Sequence, residues 1–209
     1  MQPVDKLRLN RPWRRALLVL LVIAAALLVQ GLFRARFVTA RAEFHATTYE
    51  PVALAPGFTL TDHTGTPLAL ADLRGQTVLL FFGYSHCPDV CPLTLTRLRG
   101  ALDAGGAEPG DARVLMVTVD PARDTPQVLA RYVTAFGADV TGLTGAEEEL
   151  DRIYRQYGVH TAADHSDPAM VTHTSAVFGI DRKGRLRVLL RPDADQGEFE
   201  ADVKTLLKL

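Results

Sequence analysis

Only two cysteines occur in this chain of 209 residues, and both lie in the stretch Phe81-Phe82-Gly83-Tyr84-Ser85-His86-Cys87-Pro88-Asp89-Val90-Cys91-Pro92. Three intervening residues let the sulfurs of Cys87 and Cys91 converge on one point. Thiolates are soft ligands that select Cu(I), and two of them need only one imidazole for a three-coordinate site. Zinc takes the same residue types but ordinarily wants a fourth ligand. A redox dithiol is the second chemistry open to the pair, although such motifs ordinarily carry two intervening residues, not three. The bland alternative is an inert buried pair, because cysteine also packs as a small hydrophobe. The flanking Pro88, Asp89 and Pro92 speak against core filling.

The elements around the motif explain how it would be held. Thr77–Gly83 (TVLLFFG) is a short continuous apolar run, the mark of a strand buried on both faces. Pro88 and Pro92 disfavour a helix through Cys87–Cys91, so a helix is expected from about Pro92 to Asp103, with Cys91 near its cap and Cys87 in a tight loop before it. The dipole and free N–H groups of that helix end are expected to lower the thiol pKa values.

Downstream, Arg113–Val119 reads as a second buried strand, and Thr125-Pro126 caps and opens a helix to about Phe136. A short extended piece at Asp139–Leu143 follows, then a helix over Ala146–Tyr157 closed by Gly158. Ser175–Ile180 and Arg185–Leu190 form a terminal hairpin, and Gly197–Leu207 a last helix. Upstream, Phe58–Leu60 and Leu68–Leu70 suggest a small hairpin. The fold class is therefore α/β, a thioredoxin-like central mixed sheet flanked by helices, with a site where the first long strand hands over to its helix.

The N-terminus is of another kind. Ala16 to Phe33 is eighteen residues without a formal charge, and as a helix it would be roughly 27 Å long, close to a bilayer's hydrocarbon core. Trp13 stands where an interfacial aromatic would. Residues 1–42 hold eight Lys/Arg and one acid, which leaves 15 basic and 23 acidic residues in 43–209, a net of about −8. An acidic body excludes the basic footprint of a nucleic-acid binder. The expected organisation is a basic cytoplasmic segment over 1–15, a transmembrane anchor over 16–33, a juxtamembrane linker over 34–56 and the folded domain over 57–209. The basic cluster favours delivery of that domain to the extracytoplasmic side, in a bacterial cell membrane or the mitochondrial inner membrane. A cleaved signal peptide ending at Ala40-Arg41-Ala42 is the rival, but the apolar run is long for that role and ends well before the cut.

FGYSHCPDVCP resembles the signature of the SCO/SenC copper chaperones, which assemble the binuclear copper centre of cytochrome c oxidase. Val119-Asp120-Pro121-Ala122-Arg123-Asp124-Thr125-Pro126, Gly142-Leu143-Thr144-Gly145 and a late histidine before the terminal hairpin are similar to the same family, over about residue 52 to the C-terminus. The resemblance implies one copper per chain, Cu(I) or Cu(II), held by Cys87, Cys91 and a late histidine. Asp164-His165-Ser166 matches the family's usual letters, yet it lies far upstream of the expected strand. His173, in Val171-Thr172-His173-Thr174-Ser175, lacks the Asp but touches that strand. A ligand has to be held rigidly, so His173 is preferred and His165 is the alternative. His86 neighbours Cys87 but reads as solvent-facing, as do His45, His63 and His160. Asp120, Arg123 and Asp124 read as turn and cap residues. Asp89 is placed either to hydrogen-bond a ligand or to repel an anion.

Two functions follow. One is a membrane-anchored metallochaperone that hands copper to a cytochrome c oxidase subunit. The other is a thiol–disulfide oxidoreductase, with Cys87 and Cys91 as its redox dithiol, that keeps such a subunit's cysteines reduced through a mixed disulfide with a thiol-redox partner. A peroxidase is weaker, because no Pro-x-x-x-Thr-x-x-Cys arrangement precedes Cys87.

Overall fold

The structure is a computed structural model that describes residues 11–37, 43–163, 171–173 and 175–209. Two compact units divide the chain, Met1–Arg41 and Ala42–Leu209.

In the first unit a helix, α1, runs over Arg11–Phe37. Its described side chains from Ala16 to Leu28 are all exposed, Leu17, Val22 and Leu28 among them. Among the described residues no helix is long and apolar enough to cross a membrane. The contiguous described side chains stop at Leu28, short of the uncharged stretch 16–33 that suggested a span.

The second unit is built on β-strands β1 (Thr47–Leu54), β2 (Thr59–Asp62), β3 (Pro67–Ala69), β4 (Thr77–Gly83), β5 (Ala112–Thr118), β6 (Val140–Thr144), β7 (Thr161–Ala163), β8 (Val171–His173), β9 (Val177–Ile180) and β10 (Arg185–Leu190). Four helices accompany them: α2 (Val90–Gly105), α3 (Pro126–Val133), α4 (Glu147–Tyr157) and α5 (Gln196–Leu207). Eight strands form one mixed sheet in the order β1-β10-β9-β4-β5-β6-β2-β3. Strands β4, β5 and β6 are parallel neighbours, while β9 runs antiparallel to β4. Helix α2 packs on α5, and α3 on β6.

This is the α/β mixed sheet expected from the sequence, and its centre follows from composition. Every residue of β4 is buried, and Leu79, Leu80, Phe81 and Phe82 are wholly enclosed. With apolar side chains on both faces, such a strand is stable only under helices on each side. Thr125 caps α3 by accepting the Val128 N–H, with Pro126 at the helix start. Gly158 closes α4 at φ +66, a left-handed conformation that suits glycine.

Two expectations are corrected and one is extended. Strand β1 lies inside the stretch 34–56 expected as a linker, and the compact unit begins at Ala42. Six of its eight residues are exposed and it contains Pro51, so this edge strand, paired only with β10, shows no apolar alternation to reveal it. The small hairpin expected around Phe58–Leu60 and Leu68–Leu70 is present as β2 and β3, and it joins the main sheet through the pairing of β2 with β6. The strand expected from Ser175 begins at Val177, and His173 belongs to a separate two-stranded sheet of β7 and β8.

Candidate metal and thiol site

Both cysteines lie where β4 ends and α2 begins. The helix starts two residues earlier than the prolines suggest: Asp89 is its N-cap, so Cys91 lies in the first turn and Pro92 is its third residue. This is permitted because the first four N–H groups of a helix have no intrahelical partner, and a proline there forfeits none. The first of the normal helical bonds runs from Leu93 N–H to the Asp89 carbonyl at 3.2 Å. The orphan N–H of Cys91 instead points at the sulfur of Cys87, 3.4 Å away. The spacing thus wraps Cys87 back over the helix end, as a donor-bearing turn requires. Neither cysteine is in a disulfide, with Cys91 fully enclosed and Cys87 at 9% exposure.

Gly83 makes the close approach possible. A Cβ at that position would lie 2.5 Å from the Phe81 ring and 3.0 Å from the Cys91 sulfur. Only a residue without a side chain lets the strand pass beside the thiol.

The expected lowering of the thiol pKa values is corrected for Cys91. Burial pushes this thiol well above the ordinary thiol range, and the charges of Cys87 and Asp124 add to the rise against an opposing hydrogen bond from the backbone of Tyr84. Desolvation outweighs the helix end, because loss of water penalises the thiolate more than a partial dipole rewards it. Cys91 therefore carries its proton at neutral pH, and any metal must displace it.

Asp124 is the largest surprise. Read as a turn residue, it is fully buried. It accepts the Ser85 N–H at 3.1 Å, the Ser85 hydroxyl, and the Thr118 hydroxyl at 2.6 Å. The half-exposed His86 sits beside it, with Nδ1 3.0 Å from the Ser85 hydroxyl and 3.8 Å from Asp124. A buried carboxylate thus clamps Ser85, two residues before Cys87. The pairing of Gly83 with Thr118 brings the loops after β4 and β5 together; the position of Asp124 just after the second buried strand was the signal available in the sequence. Arg123 pairs with Asp120 and lies over the Tyr84 ring.

Of the histidines, His173 ends β8 and is paired in register with Thr161. The hairpin carrying it is tied toward the cysteine loop, since the Val171 N–H donates to the Tyr84 hydroxyl at 3.3 Å. His165 lies outside the described residues. His45, expected to be free at the surface, pairs through Nδ1 with the buried Asp202 at 3.0 Å. His63 accepts the Gly142 N–H at 3.3 Å. The remaining histidine, His160, is exposed, and so is Asp89. Among the described residues no three His, Cys, Asp or Glu are grouped to hold a metal. The donor set brought together is the pair of thiols, which suits a soft ion or a disulfide.

A thioredoxin-like sheet with two unbridged thiols at the junction of β4 and α2 is an arrangement suited to soft-metal or thiol chemistry. The chain belongs to the SCO1/SenC family, whose family model matches residues 46–208. It is 41% identical over 132 residues to the mitochondrial SCO2 homolog of Bos taurus, an alignment covering 61% of this chain and 50% of that protein. The chain spans about half the length of the curated relatives it matches. Among solved structures it is similar to copper-bound ScoI of Bradyrhizobium japonicum, with a TM-score of 0.65 and 32% identity over 74% of this chain and 99% of that one. It is also similar to yeast Sco1 with copper bound, with a TM-score of 0.62 and 29% identity over 71% of this chain and 84% of that one.

Proposed function

We propose that the chain is a copper metallochaperone that binds one copper through Cys87 and Cys91 and delivers it to a cytochrome c oxidase subunit. One observation carries this reading: the Cys87 sulfur lies 3.4 Å from the Cys91 backbone nitrogen in a turn where neither cysteine is in a disulfide. Copper here is cargo, so it has to be held firmly and released. Two thiolates supply the affinity, and His173 is proposed as the third ligand. Relatives solved with copper bound support the choice of metal.

Exchange requires access. Cys87 reaches the surface while Cys91 does not, so an incoming ligand meets Cys87 first. Val90 and Leu93, in the first turn of α2 that also holds Cys91, expose apolar surface and line a cavity of about 490 Å³ that extends to Ser175. A recipient subunit would dock against that surface.

The stretch 16–33 is proposed to anchor the chain in a membrane with the domain on the extracytoplasmic side. Its support is the run of eighteen uncharged residues, the preceding basic cluster and the exposed Leu and Val side chains of α1.

The redox reading stays attached to the same residues, favoured by two unbridged cysteines that share one turn. A disulfide would consume both proposed ligands. Copper loading of the reduced and oxidised chain tests the main reading: one copper per reduced chain and none per oxidised chain support it, and equal loading contradicts it.

A further inference from the structure

Among the described residues, strands β7 and β8 pair with each other and not with the main sheet. Ladder hydrogen bonds to that sheet therefore do not fix where this hairpin sits against the body; packing of Val171 on the core and links to side chains do. One such link spans 87 positions of sequence, from the Val171 N–H to the Tyr84 hydroxyl at 3.3 Å. Tyr84 is 1% exposed, with the Arg123 guanidinium 5.9 Å from its ring centroid. Its hydroxyl also bonds the Cys87 side chain, and its backbone bonds Cys91. One residue thus touches both thiols and the strand that carries His173.

We propose that Tyr84 is a positioning residue that couples the dithiol to the histidine-bearing hairpin through its hydroxyl. This rests on the assignment of Cys87, Cys91 and His173 as copper ligands. A phenol can accept one hydrogen bond while donating another. Its oxygen accepts the Val171 N–H, and its O–H donates to the Cys87 sulfur. A metal-bound thiolate is a stronger acceptor than a neutral thiol, and charge-assisted bonds are roughly twice as strong as neutral ones. Each bond in such a chain polarises the next. Metal on Cys87 therefore tightens the hold on Val171, two residues before His173, and docking of the hairpin in turn favours metal on Cys87. Such coupling is reciprocal by thermodynamic necessity. A copper site drawn from two separate segments gains a means of assembling both together.

Tyr84→Phe removes the hydroxyl and keeps the enclosed ring. Cu(I) affinity is measured by competition with a chromophoric chelator, on the reduced full chain, for Tyr84→Phe, His173→Ala and the double variant. The expected result is about tenfold weaker binding in Tyr84→Phe, the scale of one lost buried hydrogen bond, with the double variant no weaker than His173→Ala alone. Unchanged affinity in Tyr84→Phe overturns the proposal. A double variant tenfold weaker than His173→Ala overturns it as well, since Tyr84 would then act on Cys87 without the hairpin. If the unsubstituted chain binds no Cu(I), the chaperone reading fails by itself, and hydrogen exchange of the Val171 amide decides the link. Tyr84→Phe should then speed that exchange about tenfold, and an unchanged rate overturns the coupling.

Discussion

The carboxylate of Asp124 accepts the backbone N–H of Ser85 at 3.1 Å across 39 positions of sequence, and it does so wholly out of contact with water. It also takes the hydroxyls of Ser85 and Thr118. Removing it leaves three donors in a region where water cannot replace the acceptor. Asp124→Ala should cost about 2–3 kcal/mol of stability, read as a lower urea midpoint, and should loosen the segment before Cys87. Cu(I) affinity should fall with it. A variant with the stability and affinity of the parent would show that the clamp is incidental.

Gly83 gives a test of packing alone. In Gly83→Ala the new methyl meets the Phe81 ring and the Cys91 sulfur at once, a crowding that costs about 1–3 kcal/mol. Copper binding should weaken because the sulfur is displaced, while Ala at the open Gly57 should leave binding unchanged. Chelator competition on both variants checks the contrast.

The raised pKa of Cys91 fixes a direction with pH. Burial keeps this thiol protonated in the folded chain beyond the pH at which an unfolded thiol ionises, about 8.5. Above that pH the unfolded state holds fewer protons than the folded state, so stability falls as pH rises. Between about pH 8 and 9.5, below the range of the raised tyrosines, the reduced apo chain should lose stability, and Cys91→Ser should flatten the slope. Apparent Cu(I) affinity should rise with pH over the neutral range, because the metal displaces the Cys91 proton.

The third ligand is tested by substitution. With His173 as ligand, His173→Ala should lose or strongly shift the sulfur-to-copper charge-transfer band of the Cu(II) form, and His165→Ala should keep it. The reverse outcome would give the role to His165. Thiol redox cycling of Cys87 and Cys91 should survive both, since disulfide exchange needs no imidazole.

Where apolar pattern dictates structure, the sequence was legible: β4 is bounded as its run TVLLFFG implies, and α3 opens at Thr125-Pro126. The cysteine pair was legible because no other thiols compete with it. Strand β1 was not, since an exposed edge strand has no period-two apolar signal to read. The start of α2 was misjudged because proline is permitted throughout a first turn and not only at its opening. Asp124 and Tyr84 escaped for a different reason: their partners lie 39 and 87 positions away. Only the parallel pairing of β4 with β5 and the separate β7–β8 hairpin bring them together.

X-ray absorption at the copper edge of the reduced, Cu(I)-loaded chain tests the central claim most directly, because it counts the atoms bound to the metal. The account predicts two sulfur neighbours and one imidazole nitrogen, falling to a single sulfur in Cys87→Ser and in Cys91→Ser. A parent spectrum with one sulfur or none, or one unaltered by either serine, would contradict it.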